Sequence, residues 1–339
     1  NNILNFAKRK ISSFALLIFK SSYKRMLNRR HIRVKVMQSI YAMHQNNSDN
    51  LEKEEKFLFQ SIENIRELYL IMVSALVEIR NSEEDFIAKS SKKHLATADE
   101  RNPNRKFINN KVLNFLSENN SLNIAIEENK INNWKHNDDY ILILLDAVKK
   151  SELYAGYMHN RENDFEEDKQ FVADLFTEVI APNEKLYEYL EDYKLTWIDD
   201  IPLVNTMISK QLKQLKEDNE SSFYVPKLYK DADDKDYVKS LFRKTVLNEV
   251  ELAKEFIDKT PNWDTERIAE VDAIILKMAI CEFLKFPSIP VKVTINEYLE
   301  IAKEYSTPKS SIFINGILDN LVKDYQTNNK LVKTGRGLM

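Results

Sequence analysis

From Leu27 to Met43 apolar side chains return every three or four positions, at Ile32, Val36, Ile40 and Met43. Arg29 and Arg33 fall one turn apart on another face, so the spacing predicts a helix with a buried stripe and a basic edge. Leu51 to Ile87 carries the same period through Phe57, Leu58, Ile62, Ile65, Leu68, Tyr69, Met72, Leu76 and Ile79, which predicts one long helix or two. The period lapses from Lys89 to Asn110, a polar stretch containing Pro103 that reads as a surface loop. Short helices are expected around Val112–Leu116 and Leu122–Ile126. A stronger one is expected from Asp139 to Gly156, where Gly156 suits a C-cap.

The C-terminal third has the clearest pattern. Thr265 to Phe286 places Ile268, Val271, Ile274, Ile275, Met278, Cys281 and Leu284 on one broad face, as expected of a central core helix ended by Pro287 and Pro290. Val293 to Tyr305 is the next helix. Thr307-Pro308 supplies an N-cap hydroxyl and a first-turn proline for the last, which runs through Phe313, Ile317 and Leu321. Gly316 inside it costs about 1 kcal/mol against alanine, which suggests the close approach of another helix.

The chain also matches itself. At an offset of 66, Asp168, Lys169, Val172, Leu175, Phe176, Leu186, Asp192 and Trp197 coincide with Asp234, Lys235, Val238, Leu241, Phe242, Leu252, Asp258 and Trp263. Similar pairs fall between them without a gap, including Asp200 with Glu266. Shared periodicity alone aligns two apolar helices, but a tryptophan in register after a non-helical break points to one helical unit present twice.

Composition fits this picture. The 339 residues are 43% hydrophobic and 30% charged, as in a folded protein of one large or two ordinary domains. Four glycines leave little material for tight hairpins or Gly-rich phosphate loops, so the expected class is all-α. The single Cys281 cannot form an internal disulfide, and the apolar run Ile11–Phe19 is too short to cross a bilayer. A cytoplasmic protein without membrane partners is expected.

Charge is unevenly spread. Residues 1–48 carry ten Lys and Arg and no acid, while residues 49–325 hold 37 basic against 53 acidic side chains. The last fourteen residues add Lys330, Lys333 and Arg336, again without an acid. A polyanion would be met at the N-terminus and repelled by much of the middle, although a solvated basic tail has the same composition. The pattern allows Met26 as the start of translation, leaving 1–25 as a basic upstream extension. If that extension is retained, Phe6, Phe14, Leu17 and Ile18 with their basic neighbours suit a membrane surface.

No catalytic constellation assembles. His31, His44, His94, His136 and His159 lack paired metal-ligand spacing, and acidic pairs such as Glu166/Glu167 and Asp199/Asp200 read most simply as solvated helix faces. Nucleophile-elbow, dinucleotide and P-loop signatures are also missing. The expectation is a binding protein with no enzyme activity, cofactor or metal. Arg29, Arg30, Arg33 and Lys35 are its phosphate candidates, with Lys309 and the open start of the last helix as a second group. Tyr41 and Phe313 fit base stacking, but their helical spacing favours ordinary core positions.

Val271–Asp319, VDAIILKMAICEFLKFPSIPVKVTINEYLEIAKEYSTPKSSIFINGILD, resembles the C-terminal half of the NusB family. Asn28–Gln45, NRRHIRVKVMQSIYAMHQ, looks like that family's arginine-rich first helix. The resemblance implies an all-helical pair of bundles and a non-catalytic transcription antitermination factor. It further implies binding to boxA-like single-stranded ribosomal RNA together with NusE, a small-subunit ribosomal protein, and with RNA polymerase. By position it carries RNA contact to Arg29, Arg30, Arg33, Tyr41, Lys309, Ser310 and Phe313, and partner contact to Asp272 and Glu282. Ile312 departs from it, standing where the family usually has a basic residue.

The implied organisation is a basic extension (1–25), a first NusB-like helix (26–48) and a helical insertion (49–230) with a degenerate repeat at 168–212. A C-terminal core (231–325) and a basic tail (326–339) follow. Two other readings remain open at this level: an accessory domain of an RNA methyltransferase, for which the catalytic portion is missing from this sequence, and a helical scaffold for basic proteins without RNA specificity.

Overall fold

The computed structural model describes residues 25–160, 164–217, 222–257 and 268–338. The basic extension up to residue 24, with its membrane-surface reading, and the repeat positions Asp258, Trp263 and Glu266 lie outside the described residues. Sixteen α-helices and no strand occur among the described residues, so the all-α expectation holds.

Chain order gives α1 (Arg29–Gln45) and the 41-residue α2 (Leu51–Ser91). Then come α3 (Ala98–Arg101), α4 (Lys111–Glu118), α5 (Asn120–Glu128), α6 (Asn133–His136), α7 (Asp138–Lys150) and α8 (Glu152–His159). Next are α9 (Phe165–Leu175), α10 (Glu184–Tyr193) and α11 (Ile201–Gln214), with a π-helical turn at Phe176–Ile180 and a 3-10 turn at Leu195–Trp197. The last five are α12 (Ala232–Leu247), α13 (Glu249–Ile257), α14 (Glu270–Lys285), α15 (Val291–Tyr305) and α16 (Ser310–Thr327).

The chain forms two compact units, one from Glu63–Lys227 and one from Leu27–Ile62 with the chain from Leu228 onward. In the second unit α14 is the hub, touching α1, α12, α13, α15 and α16. Its sequence explains this. Ile274, Ile275, Leu276, Met278, Ala279, Ile280, Cys281 and Phe283 are all fully buried, so the helix is apolar around most of its circumference rather than along one stripe. Burial pushes the Cys281 thiol up to about 11, which leaves it protonated and inert.

In the first unit α9 packs on α4, α8 and α11, and α10 on α7. Shifted by 66 residues, α9, α10 and α11 fall on α12, α13 and α14. The likeness extends to a buried aspartate inside the first turn of α9 and of α12. Asp168 accepts the Tyr157 hydroxyl at 2.6 Å and the Lys111 amide that opens α4 at 2.7 Å. Asp234 accepts the side chain of Arg29, the residue that opens α1. Both α4 and α1 are capped by an asparagine, Asn110 and Asn28.

Three local expectations need correction. Asp139–Gly156 is two helices, because Ser151 leaves helical geometry and its hydroxyl caps the Tyr154 amide at 3.1 Å; Gly156 lies inside α8. The last helix begins at Ser310, not at Thr307-Pro308, where the Thr307 carbonyl instead accepts the Ser310 amide at 2.9 Å. Gly316 meets no neighbour, since a Cβ built there has nothing within 4 Å. Gly316→Ala is therefore expected to raise stability by about 0.5–1 kcal/mol, seen as a higher urea midpoint.

The basic tail is also engaged. Lys333 donates to the carbonyls of Glu282 and Phe286 at 3.2 and 3.1 Å, closing the C-terminal end of α14, and Lys330 pairs with Glu255 at 3.3 Å. A Cβ at Gly337 would sit 1.9 Å from the Pro287 carbonyl oxygen, so only glycine fits there.

Candidate nucleic-acid interface

The arginines of α1 stand at its first two turns, on a helix started by a capping box. Asn28 accepts the His31 amide at 3.0 Å, and the His31 ring accepts the Asn28 amide at 3.3 Å. Each arginine meets a carboxylate from a different helix. Arg29 Nε donates to Asp234 of α12 at 3.0 Å, with its guanidinium 4.6 Å from the centre of the Tyr237 ring. Arg30 holds Glu297 of α15 through Nε and Nη2 at 2.9 and 3.0 Å. Arg33 holds Glu282 of α14 through the same two nitrogens at 2.7 and 3.0 Å.

The Arg33–Glu282 pair is interior. Arg33 is 1% exposed and Glu282 wholly buried, and the carboxylate also accepts the hydroxyls of Tyr237, Tyr298 (3.0 Å) and Thr294 (3.0 Å). Burial pushes the Glu282 carboxyl up, but Arg33 and the tyrosine hydroxyls outweigh it and the net shift is down. Burial likewise opposes the Arg33 charge, and Glu282 reverses it, carrying the guanidinium well above its ordinary value. Both tyrosines go well above the usual phenol range, first through burial and then through the Glu282 charge. The cluster is thus one anion and one cation enclosed by neutral hydroxyls.

This corrects two expectations. At 1% exposure Arg33 has no free edge for phosphate, and Glu282 has no surface for a protein partner; each is the other's counter-ion. Lys35 is also buried, at 4%. Asp272 is buried too and accepts the Ser310 hydroxyl at 2.7 Å, so these two residues join α14 to α16. Arg29, Arg30 and Tyr41 on α1 reach solvent, and so do Lys309 and the half-buried Phe313 at the start of α16. Ile312 is 76% exposed, an apolar side chain on the outer face. The sequence marks Asp234 only as a repeat position, and nothing in it marks Asp234 or Glu297 as an arginine partner. Glu282 carries a signal, being the lone acid between Cys281 and Phe283 in an apolar run.

The other end of α1 is fixed as well. The His44 ring places Nε2 2.9 Å from Glu249 and Nδ1 3.0 Å from Glu270, an arrangement in which both nitrogens donate. The bond to Glu249 raises His44, and His44 in turn draws the Glu249 carboxyl down to about 2. Among the described residues no group of three or more His, Cys, Asp or Glu is arranged to hold a metal. No described helix is long and apolar enough to cross a membrane.

The fold and this cluster define an all-α protein whose first described helix is fastened by ion pairs to a core assembled from the C-terminal third of the chain. The NusB family model matches residues 203–323, from α11 into α16. The match begins inside the span expected as insertion and leaves α1 outside it. A transcription antitermination protein NusB from Salinibacter ruber is 45% identical over 113 residues, 33% of this chain and 70% of that protein. Those from Chloroherpeton thalassium and Clostridium kluyveri are 32% and 46% identical, covering 40% and 27% of this chain and 65% and 58% of their own lengths. No solved structure matches. The chain belongs to the NusB family.

Proposed function

We propose that the protein is a non-catalytic transcription antitermination factor that binds boxA-like single-stranded RNA through the start of α1, together with NusE, in the elongating RNA polymerase complex. The observation that carries this reading is the pairing of Arg29 and Arg30. They are adjacent, solvent-reaching guanidiniums at a capped helix start, on a helix held rigidly by the interior Arg33–Glu282 pair. Phosphate contacts of this kind supply affinity by releasing counter-ions, and stacking on exposed aromatic rings reads unpaired bases. Tyr41 is the exposed ring on the same helix, and Lys309 with Phe313 forms a second candidate group. Family membership and the names of the relatives support the antitermination role.

The test compares the full chain with the Arg29→Ala/Arg30→Ala variant by fluorescence anisotropy, using boxA-containing and scrambled RNA at several salt concentrations, with and without NusE. Wild type is expected to prefer the boxA RNA and to bind it more tightly with NusE. The double variant is expected to bind more weakly, with a salt slope shallower by about 0.7, the phosphate contact that Arg29 makes. Equal binding by both proteins overturns the assignment. Capture of NusE with no RNA binding moves the function to a protein scaffold, the reading that the carboxylate-paired arginines and exposed Ile312 favour.

A further inference from the structure

We propose that Glu297 sets the RNA affinity of this protein by occupying Arg30 in place of a phosphate. The proposal rests on the RNA reading above and concerns the same site.

The arginines of α1 look like an open cationic arm in the sequence, but each is matched by a carboxylate. The three pairs differ in what they leave available. Arg33 is sealed inside with Glu282. Arg29 is bound through Nε alone to an aspartate that is itself buried, and its side chain is 40% exposed, the most open of the three. Arg30 is different because Glu297 takes both Nε and Nη2, the planar edge with which a guanidinium grips a phosphate in two parallel bonds. Both side chains are 23% exposed, so the pair stands at the surface where an incoming phosphate arrives.

Carboxylate and phosphate oxygens are equivalent acceptors for that edge, so the two compete. A phosphate that takes the edge must break two charge-assisted bonds and leave Glu297 facing it as a like charge. Glu297 does not swing freely aside, because Arg33 Nη1 lies 3.8 Å from the same carboxylate oxygen that Arg30 Nε holds. Glu300, one turn further along α15, adds negative charge at Arg30 and forms its own pair with Lys303 at 2.6 Å. Arg29 is therefore the entry contact. Arg30 stays with Glu297 unless a ligand's other contacts outweigh the loss of that pair, so in the wild type Arg29 carries the phosphate contact.

Glu297→Gln keeps the shape and one acceptor while removing the charge. It is expected to tighten binding to the boxA RNA by about three- to tenfold at low salt. It should also steepen the salt slope by about 0.7, the signature of one added phosphate contact. The gain should disappear in Glu297→Gln/Arg30→Ala, which should bind as Arg30→Ala does. Glu300→Gln removes the same charge without touching the Arg30 edge and is expected to give a smaller gain with no change in slope. Circular dichroism melts establish that each variant is folded. If wild type binds RNA and Arg29→Ala weakens it, but Glu297→Gln is unchanged or no better than Glu300→Gln, the competition is overturned. If no variant and no wild-type protein binds RNA, the RNA reading itself is what fails.

Discussion

Glu282→Gln is expected to destabilise the protein by about 3–5 kcal/mol, the cost of leaving a buried charge without its counter-ion. Arg33 cannot shed its proton, and at 1% exposure it cannot reach water. Its nearest alternative anion is Glu297 at 3.8 Å, already held by Arg30. The reverse change is milder. In Arg33→Met the Glu282 carboxylate keeps the hydroxyls of Tyr237, Tyr298 and Thr294, and a carboxyl, unlike a guanidinium, is able to take up a proton. Urea unfolding of the three proteins should rank wild type first, Arg33→Met second and Glu282→Gln last. Equal losses would mean that the hydroxyls contribute nothing to holding the anion.

The same cluster marks the limit of what the pattern of residues conveys. The periodicity of Ile32, Val36 and Ile40 locates α1 and its buried face, and the dense apolar run from Ile274 to Phe283 gives α14 its central place. Periodicity names a face but not the partner on it. Asp234, Glu282 and Glu297 lie 205, 249 and 267 residues from the arginines they bind, on three different helices. Arg29, Arg30 and Arg33 therefore read as one basic edge, whereas the fold makes them an exposed contact, a masked contact and an interior pair. Short-range errors have another origin. The Ser151 hydroxyl starts α8 by capping a backbone amide, while α16 starts at Ser310 without a side-chain cap, and neither boundary is visible in hydropathy.

Trp197→Ala is expected to cost about 3–5 kcal/mol, as for other large buried aromatics cut back to alanine. Trp197 is wholly buried in the unit formed by Glu63–Lys227, and its indole donates to the Asn64 carbonyl of α2 at 2.8 Å. Tyr193 stacks on it at 5.3 Å and the Lys194 ammonium lies 5.1 Å from its centre. Lys194 in turn bonds Glu67 and the Asn64 side chain, so one indole anchors the 3-10 turn to α2 by area, hydrogen bond and charge together. Trp197→Phe keeps most of the ring and loses chiefly the indole bond, about 1 kcal/mol. The two variants compared by urea unfolding separate packing from hydrogen bonding. A phenylalanine variant as unstable as the alanine one would place the main contribution in the N–H rather than the ring.

The ion pair between Arg33 and Glu282 joins residues 249 apart, and Glu63–Lys227, the larger segment of the other unit, is made between them. A ribosome adding about 5–20 residues per second needs roughly 12–50 s to synthesise the intervening stretch. Until that interval closes α14 is incomplete and α15 does not yet exist, and the Arg33 guanidinium lacks its carboxylate partner. The middle unit has every residue it requires before Leu228 leaves the ribosome. The helix proposed to touch RNA is thus the first described helix to be made and among the last to be held in place.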